Sequence, residues 1–368
     1  MDRRVFIKTA AALPAAAACA AIPQSVWAFL NRAPEDKWRV FEVTTQVEVL
    51  KPAGTTRIWL PVPLTVDTDY QKGQGNKWEA QGATVSYVQD RKYGAGIVHA
   101  EFPGPVKQPV LQLTSRFATR DNIKNLEKPG NTANEDRATL ALYTAPTELI
   151  PTDGIVRKTA QDITGGKKSD MDKARAIYEW IVENTFRDPK TRGCGVGDIK
   201  SMLETGDLGG KCADLNALFV GLARAAGIPA RDVYGVRVAK SEYGYKSLGA
   251  ATENITRAQH CRAEFYTASH GWIPVDPADV RKVMLEEEKG GLPITDEKVK
   301  IAREGLFGTW EMNWLAYNYA HDVALPNATR GKVGFLMYPQ CETAEGRLDS
   351  LDPDNFRYQL TAREIKAA

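Results

Sequence analysis

The chain has 368 residues, room for about two domains at the usual ~100–200 residues each. With 43% hydrophobic and 26% charged residues it reads as an ordinary globular protein, not a fibre or a disordered tail. The net charge of +2 resides in Arg3, Arg4 and Lys8 against Asp2. The remaining 45 basic and 45 acidic residues offer no general electrostatic reason to bind nucleic acid or an anionic membrane.

Residues 1–28 read as an export signal: paired arginines, an alanine-rich stretch from Thr9 to Ile22, and small residues around Val26-Trp27-Ala28. Arg3-Arg4-Val5-Phe6-Ile7-Lys8 resembles a twin-arginine motif, which implies export of a folded chain to the periplasm or beyond. No later apolar run is long enough to span a bilayer. Residues 38–120 read as an all-β, sandwich-like domain. Strands are expected near 38–50, 56–62, 83–89, 95–102 and 109–120, separated by Gly, Pro and Asp clusters. A polar connector with a helical turn or two covers 121–150.

From about 150 the period changes. DMDKARAIYEWIVENTF (170–186) places Ala174, Ile177, Tyr178 and Ile181 on one helical face, with Asp170 as its cap. A glycine-rich stretch, Gly193-Cys194-Gly195-Val196-Gly197, follows. A second helix is expected over 213–226, stopped by Gly227-Ile228-Pro229. Strands are expected at 230–238, 258–266 and 271–275. The tail, 291–368, is aromatic-rich around 306–319 and alternates at 332–338 and 356–361; packing on the core is its expected role.

After leader removal four cysteines remain, Cys194, Cys212, Cys261 and Cys341. They are too few for a disulfide scaffold and lack zinc spacing, although a single bridge among Cys194, Cys261 and Cys341 stays open. Cys212 follows Gly209-Gly210-Lys211 at a helix start. Unpaired amides and the helix dipole there favour thiolate and are suited to an oxyanion. On position alone a buried structural cysteine is equally consistent. Four histidines offer a base: His99, His260, His270 and His321. Strand 258–266 turns near 268 and returns toward Asp276, so His260 and Asp276, equidistant from the turn, are expected to be cross-strand neighbours. The bland alternative for Asp276 is a turn-forming Asp-Pro with Pro277. Cys194 is the rival thiol; it reads as a cleft-wall or structural residue.

These residues resemble the transglutaminase-like superfamily. The resemblance rests on Gly210-Lys211-Cys212-Ala213-Asp214-Leu215-Asn216-Ala217-Leu218-Phe219, on Ala223 to Arg231, on the histidine strand His260 to Glu264, and on Gly271-Trp272-Ile273-Pro274-Val275-Asp276-Pro277. It spans about 170–280. Arg262 stands where many members have Trp, which is expected to alter the pocket wall. The resemblance implies an α+β, papain-like core over 150–285, with the helix-borne Cys packed on an antiparallel sheet. It also implies a Cys212–His260–Asp276 triad and no metal or organic cofactor. The implied activity is attack on an amide through a thioacyl intermediate: hydrolysis of a peptide, protein or wall-derived amide, with cross-linking transamidation or an inactive binding module as alternatives.

Overall fold

The computed structural model describes residues 37–365 apart from 105, 131–133 and 353; the expected export signal lies outside the described residues. In chain order, strands β1 (Arg39–Val49), β2 (Thr56–Pro61), β3 (Gln71–Glu79), β4 (Thr84–Gln89), β5 (Gly96–Phe102) and β6 (Val110–Thr119) come first. Helices α1 (Arg137–Leu142), α2 (Gly154–Thr164), α3 (Asp170–Asn184), α4 (Ile199–Thr205) and α5 (Cys212–Ala225) follow. Strands β7 (Ala230–Arg237), β8 (Gln259–Thr267) and β9 (Gly271–Val275) are next, then helices α6 (Pro277–Glu286) and α7 (Glu297–Gly305). Strands β10 (Trp314–Asn318), β11 (Gln340–Thr343), β12 (Gly346–Arg347) and β13 (Phe356–Ile365) belong to the tail.

The fold is α+β. Two antiparallel sheets, β13-β1-β6-β3 and β12-β11-β2-β5-β4, face each other across a core of Val47, Val49, Ile58, Leu60, Phe102 and Phe356. A third sheet, β9-β8-β7-β10, carries the helices. Alternation in β1, with every second residue buried, is the expected signature of a strand with one face on a core.

The tail does more than pack on the core. β13 pairs along the whole of β1, from Val40↔Ile365 to Val49↔Phe356, and β11 pairs with β2. β10 completes the third sheet beside β7. A cluster of Phe41, Phe117, Val236, Leu315 and Leu360 then fuses the first sheet to the third.

Sequence expectation and structure differ in a few elements. β3 was not anticipated: QKGQGNKWE is polar, almost wholly exposed and bulged between Gly73 and Asn76, so an edge strand that buries nothing leaves no alternation. The helix at 170–184 is capped by Ser169, whose hydroxyl accepts the Asp172 amide; Asp170 is its first residue. Helices α2, α6 and α7 were also not foreseen.

Helix α5 is buried from Cys212 to Arg224, and its polar members Asp214, Asn216 and Arg224 hydrogen-bond to backbone groups there. It stops where Gly227 turns left-handed at φ +84°, and the Ile228 amide returns to the Ala223 carbonyl at 2.9 Å. The sheet beneath requires a glycine at 235. A Cβ there would sit 2.1 Å from the Leu315 carbonyl oxygen and 2.5 Å from the Trp314 ring. That ring reaches under the strand to donate Nε1–H to the His260 carbonyl at 3.1 Å. Gly235→Ala is therefore expected to overpack the sheet and lower stability by about 1–3 kcal/mol, read as a shift in the urea midpoint at unchanged slope.

Candidate active site

Cys212 opens α5, its side chain buried against a cleft of about 860 Å³ that is also lined by Cys194, Lys211, His260 and Tyr338. The helix start is held by Asp214. Its carboxylate accepts the amides of Val196, Gly197 and Lys211, each at 2.9 Å. It thereby clamps the glycine-rich loop onto the helix. The loop can be clamped because Gly195 (φ +94°) has no side chain: a Cβ would lie 1.8 Å from Asp214 Oδ2. Asp214 lies within the nucleophile motif, but its partners in the glycine-rich loop are 17 and 18 residues away and leave no local signal.

The clamped loop places Cys194 beside Cys212. The Cys194 carbonyl accepts the Ala213 amide at 2.9 Å, and its thiol donates to the Gln259 carbonyl at 3.3 Å. All four described cysteines are free thiols. Cys194, Cys212 and Cys261 interact with one another, whereas Cys341 is buried in the sandwich core. The neighbouring Cys194 and then Cys261 draw the Cys212 thiol well below its ordinary range; burial opposes them, and His260 adds to the lowering. The Cys194 thiol is pushed up, first by its bond to Cys212. Of the two neighbours, Cys212 is the more acidic thiol.

His260 lies on β8 with its Nε2 2.7 Å from Asp276 Oδ2, so Nδ1 is the ring nitrogen left for the thiol. Among the described residues no short Sγ–ring hydrogen bond joins the two, and such contacts commonly tighten only with substrate. The register of the hairpin differs from expectation. Ala263 pairs with Val275 and Thr267 with Gly271, which centres the turn one residue later and sets Asp276 opposite Arg262. The shift is two residues, so Asp276 keeps the His260 face and reaches it diagonally. Both readings of Asp276 hold at once. Its Oδ1 caps α6, accepting the Asp279 amide at 3.0 Å, and also takes a bond from Asn216 Nδ2 at 3.2 Å. Its Oδ2 holds the imidazole.

Three charged residues surround this pair, and two of them, Asp279 and Arg237, carry no signal in the sequence. Asp279 Oδ2 lies 3.4 Å from His260 Nε2. Arg237 Nη2 binds both Asp279 oxygens at 2.6 and 2.7 Å. Arg262 does not line the cleft; it lies buried behind Asp276 with Nε 3.7 Å from Oδ2. Its guanidinium is 4.7 Å from the Trp314 ring centre and 5.5 Å from that of Trp310. The expected change in the pocket wall is thus a change behind the carboxylate. Burial and Arg237 push the His260 imidazole down, but Asp279 and Asp276 outweigh them and raise it to about 10. Burial, then the neighbouring Asp279, raises Asp276. Despite its burial, Asp279 stays well below the usual carboxylate range because of Arg237. His260, Asp276 and Asp279 bring donor atoms within 4.8 Å of one another, a spacing a cation could bridge. Arg237 already supplies that positive charge. His99 stacks on Trp59 and His321 pairs with Asp232, both away from the cleft. His270 bonds Ser269 at a turn.

The transglutaminase-like superfamily profile matches residues 157–277. An uncharacterized protein of Haemophilus influenzae is 34% identical over 345 residues, covering 89% of this chain and 92% of its own. A solved structure described as a candidate cysteine protease from Cytophaga hutchinsonii aligns with a TM-score of 0.50 at 16% identity, over 89% of this chain and 98% of that one. The periplasmic domain of TgpA from Pseudomonas aeruginosa aligns at 0.35 and 13% identity, over 77% and 96%. The chain belongs to the transglutaminase-like superfamily, and its papain-like core is the fold of that family.

Two measurements test this electrostatic picture. Because Cys212 is lowered, its alkylation by iodoacetamide is expected to stay nearly level from about pH 6 to 8, whereas a free thiol of pKa about 8.5 slows some tenfold per unit of falling pH. A steep slope over that range would show an ordinary thiol. Asp279→Ala leaves Arg237 buried and unpaired and is expected to cost about 3–5 kcal/mol in urea unfolding, with much of it recovered in the apolar pair Arg237→Met/Asp279→Leu.

Proposed function

We propose that the protein is an exported cysteine-nucleophile hydrolase of peptide or amide bonds, with Cys212 as nucleophile, His260 as acid–base and Asp276 as its orienting carboxylate. The observation that carries this reading is the buried His260–Asp276 bond of 2.7 Å beside a thiol lowered at the floor of an open cleft.

In this mechanism the Cys212 thiolate attacks the amide carbon, forming a C–S bond and an oxyanion. The helix start was expected to offer several amides for that oxyanion, but Ala213 bonds the Cys194 carbonyl, and Asp214 and Leu215 bond the Lys211 carbonyl. The Cys212 amide is the donor we assign. His260 Nδ1–H protonates the leaving nitrogen as the C–N bond breaks, giving a thioester. Water then loses a proton to His260 and attacks the thioester, releasing the acid and restoring the thiolate–imidazolium pair. Asp276 holds the ring in the required tautomer throughout.

Water is favoured over an amine as acceptor by the cleft lining, which includes no carboxylate to receive a lysine ammonium. Export rests on Arg3-Arg4-Val5-Phe6-Ile7-Lys8, with the periplasm as the expected destination. No helix among the described residues is long and apolar enough to cross a membrane.

Cys212→Ala is expected to abolish turnover and acyl trapping after incubation with envelope peptides, as read by intact-protein mass spectrometry. His260→Ala and Asp276→Asn should each lose roughly 10²–10⁴-fold in kcat/KM while retaining cooperative unfolding. Turnover should decline above about pH 10 as His260 loses its proton. Wild-type rates in folded Cys212→Ala would sink the mechanism.

A further inference from the structure

The chain outside the leader is electrically balanced, but the cleft is not. Seven cationic side chains line it and no carboxylate does. They form two groups around Cys212. Arg187, Lys211 and Lys282 lie together: Arg187 pairs across the short parallel bridge with Gly210, and Arg187 and Lys282 share one carboxylate, Glu286. Arg192, Arg257 and Arg357 line the cleft with the tail segment around Leu351 and Tyr358. Arg192 meets Asp349 at 2.7 Å and Arg357 meets Glu48 at 3.5 Å. Arg237 is held by Asp279 at the floor. Among the described residues neither Lys211 nor Arg257 has an ion-pair partner, and the carboxylates that pair the others stand outside the lining. Seven cations thus face four carboxylates, all four set back from the space a substrate would fill.

A concave site lined by one sign of charge focuses the field and gathers ligands of opposite sign. We propose that the cleft selects acidic peptide segments: substrates whose scissile amide is flanked by carboxylate side chains or a free carboxylate. Carboxylates on one side of the amide meet Lys211, Arg187 and Lys282; those on the other meet Arg257, Arg357 and Arg192. The proposal rests on the hydrolase reading for its cleavage step, but its binding step is independent of catalysis. An acidic peptide is favoured over a nucleic acid because residues 29–368 carry equal numbers of basic and acidic side chains and no net positive charge to hold a long polyanion.

The test uses the full-length mature chain carrying Cys212→Ala, so that binding is read without turnover. Three fluorescently labelled hexapeptides share a central Ala-Ala amide and differ only in flanking residues, Glu, Gln or Lys. Binding is followed by anisotropy at about 50 mM and about 500 mM salt. The Glu peptide is expected to bind at least about tenfold more tightly than the Gln peptide at low salt, and the Lys peptide not to bind. That gap should close at high salt, where the screening length falls well below about 10 Å. The exposed double variant Arg257→Gln/Arg357→Gln should weaken the preference severalfold while leaving the thermal midpoint nearly unmoved, since the one exposed ion pair it removes contributes little. Equal binding of all three peptides overturns the proposal, as does tighter binding of a thymidine octanucleotide than of the Glu peptide. Iodoacetamide labelling of the unmodified protein is read separately. A slow Cys212 counts against the hydrolase reading alone, and an absent Glu preference with a fast Cys212 counts against this proposal alone.

Discussion

An ionised imidazole inside a protein needs counter-charges fixed around it, because an isolated buried charge is strongly disfavoured. Around His260 that requirement organises the whole centre. His260, Arg237 and Arg262 stand against Asp276, Asp279 and Cys212, and all six are buried. With the imidazole protonated and the thiol ionised, three positive groups face three negative ones. Moving the proton from imidazole to thiol would leave Asp276 and Asp279 facing the two guanidiniums without the imidazolium that His260 places between them. The network thus favours the ion pair over the neutral pair, in line with the raised imidazole and the lowered thiol.

The six members of the network come from four elements, so the geometry depends on how those elements are locked. β8 carries His260 and Arg262, β7 carries Arg237, and α6 begins at Asp276 and presents Asp279 from its first turn. Trp314 on β10 reaches beneath Gly235 to hold the His260 carbonyl, and Asn216 on α5 ties Asp276 to the Cys261 carbonyl. On the opposite side, Asp214 fixes the loop that brings a second thiol against Cys212. The centre is over-determined by hydrogen bonds before any substrate arrives, the condition under which electrostatic preorganisation is effective.

Much of this was legible in the chain because its signals are local. The β1 alternation, the largely apolar α5 with its Gly-Ile-Pro stop, and the Trp-Ile-Pro-Val-Asp-Pro return strand each announce their element. The meeting of His260 with Asp276 followed from parity along a hairpin, and it survived an error of two residues for the same reason. What escaped was non-local or buried nothing. β3 is exposed and so carries no pattern. Arg237 and Asp279 look like any surface pair until the third sheet and α6 bring them together. Arg262 resembled a change in the pocket wall because the tryptophans that enclose it lie some fifty residues further on. The pairing of β13 with β1 joins nearly the two ends of the described chain, a distance over which composition is silent.

That last pairing has a consequence for how the molecule can be divided and made. The span matched to the family, 157–277, ends before β10, so a fragment cut to it would leave β7 with an open edge in the sheet that carries His260. The same closure sets a clock on synthesis. β1 is made early and waits for a partner more than three hundred residues away, so the sandwich cannot close until that distant segment is available. Closure of the sandwich is thus a strongly non-local step in assembly, and truncation ahead of β13 would leave β1 with an open edge.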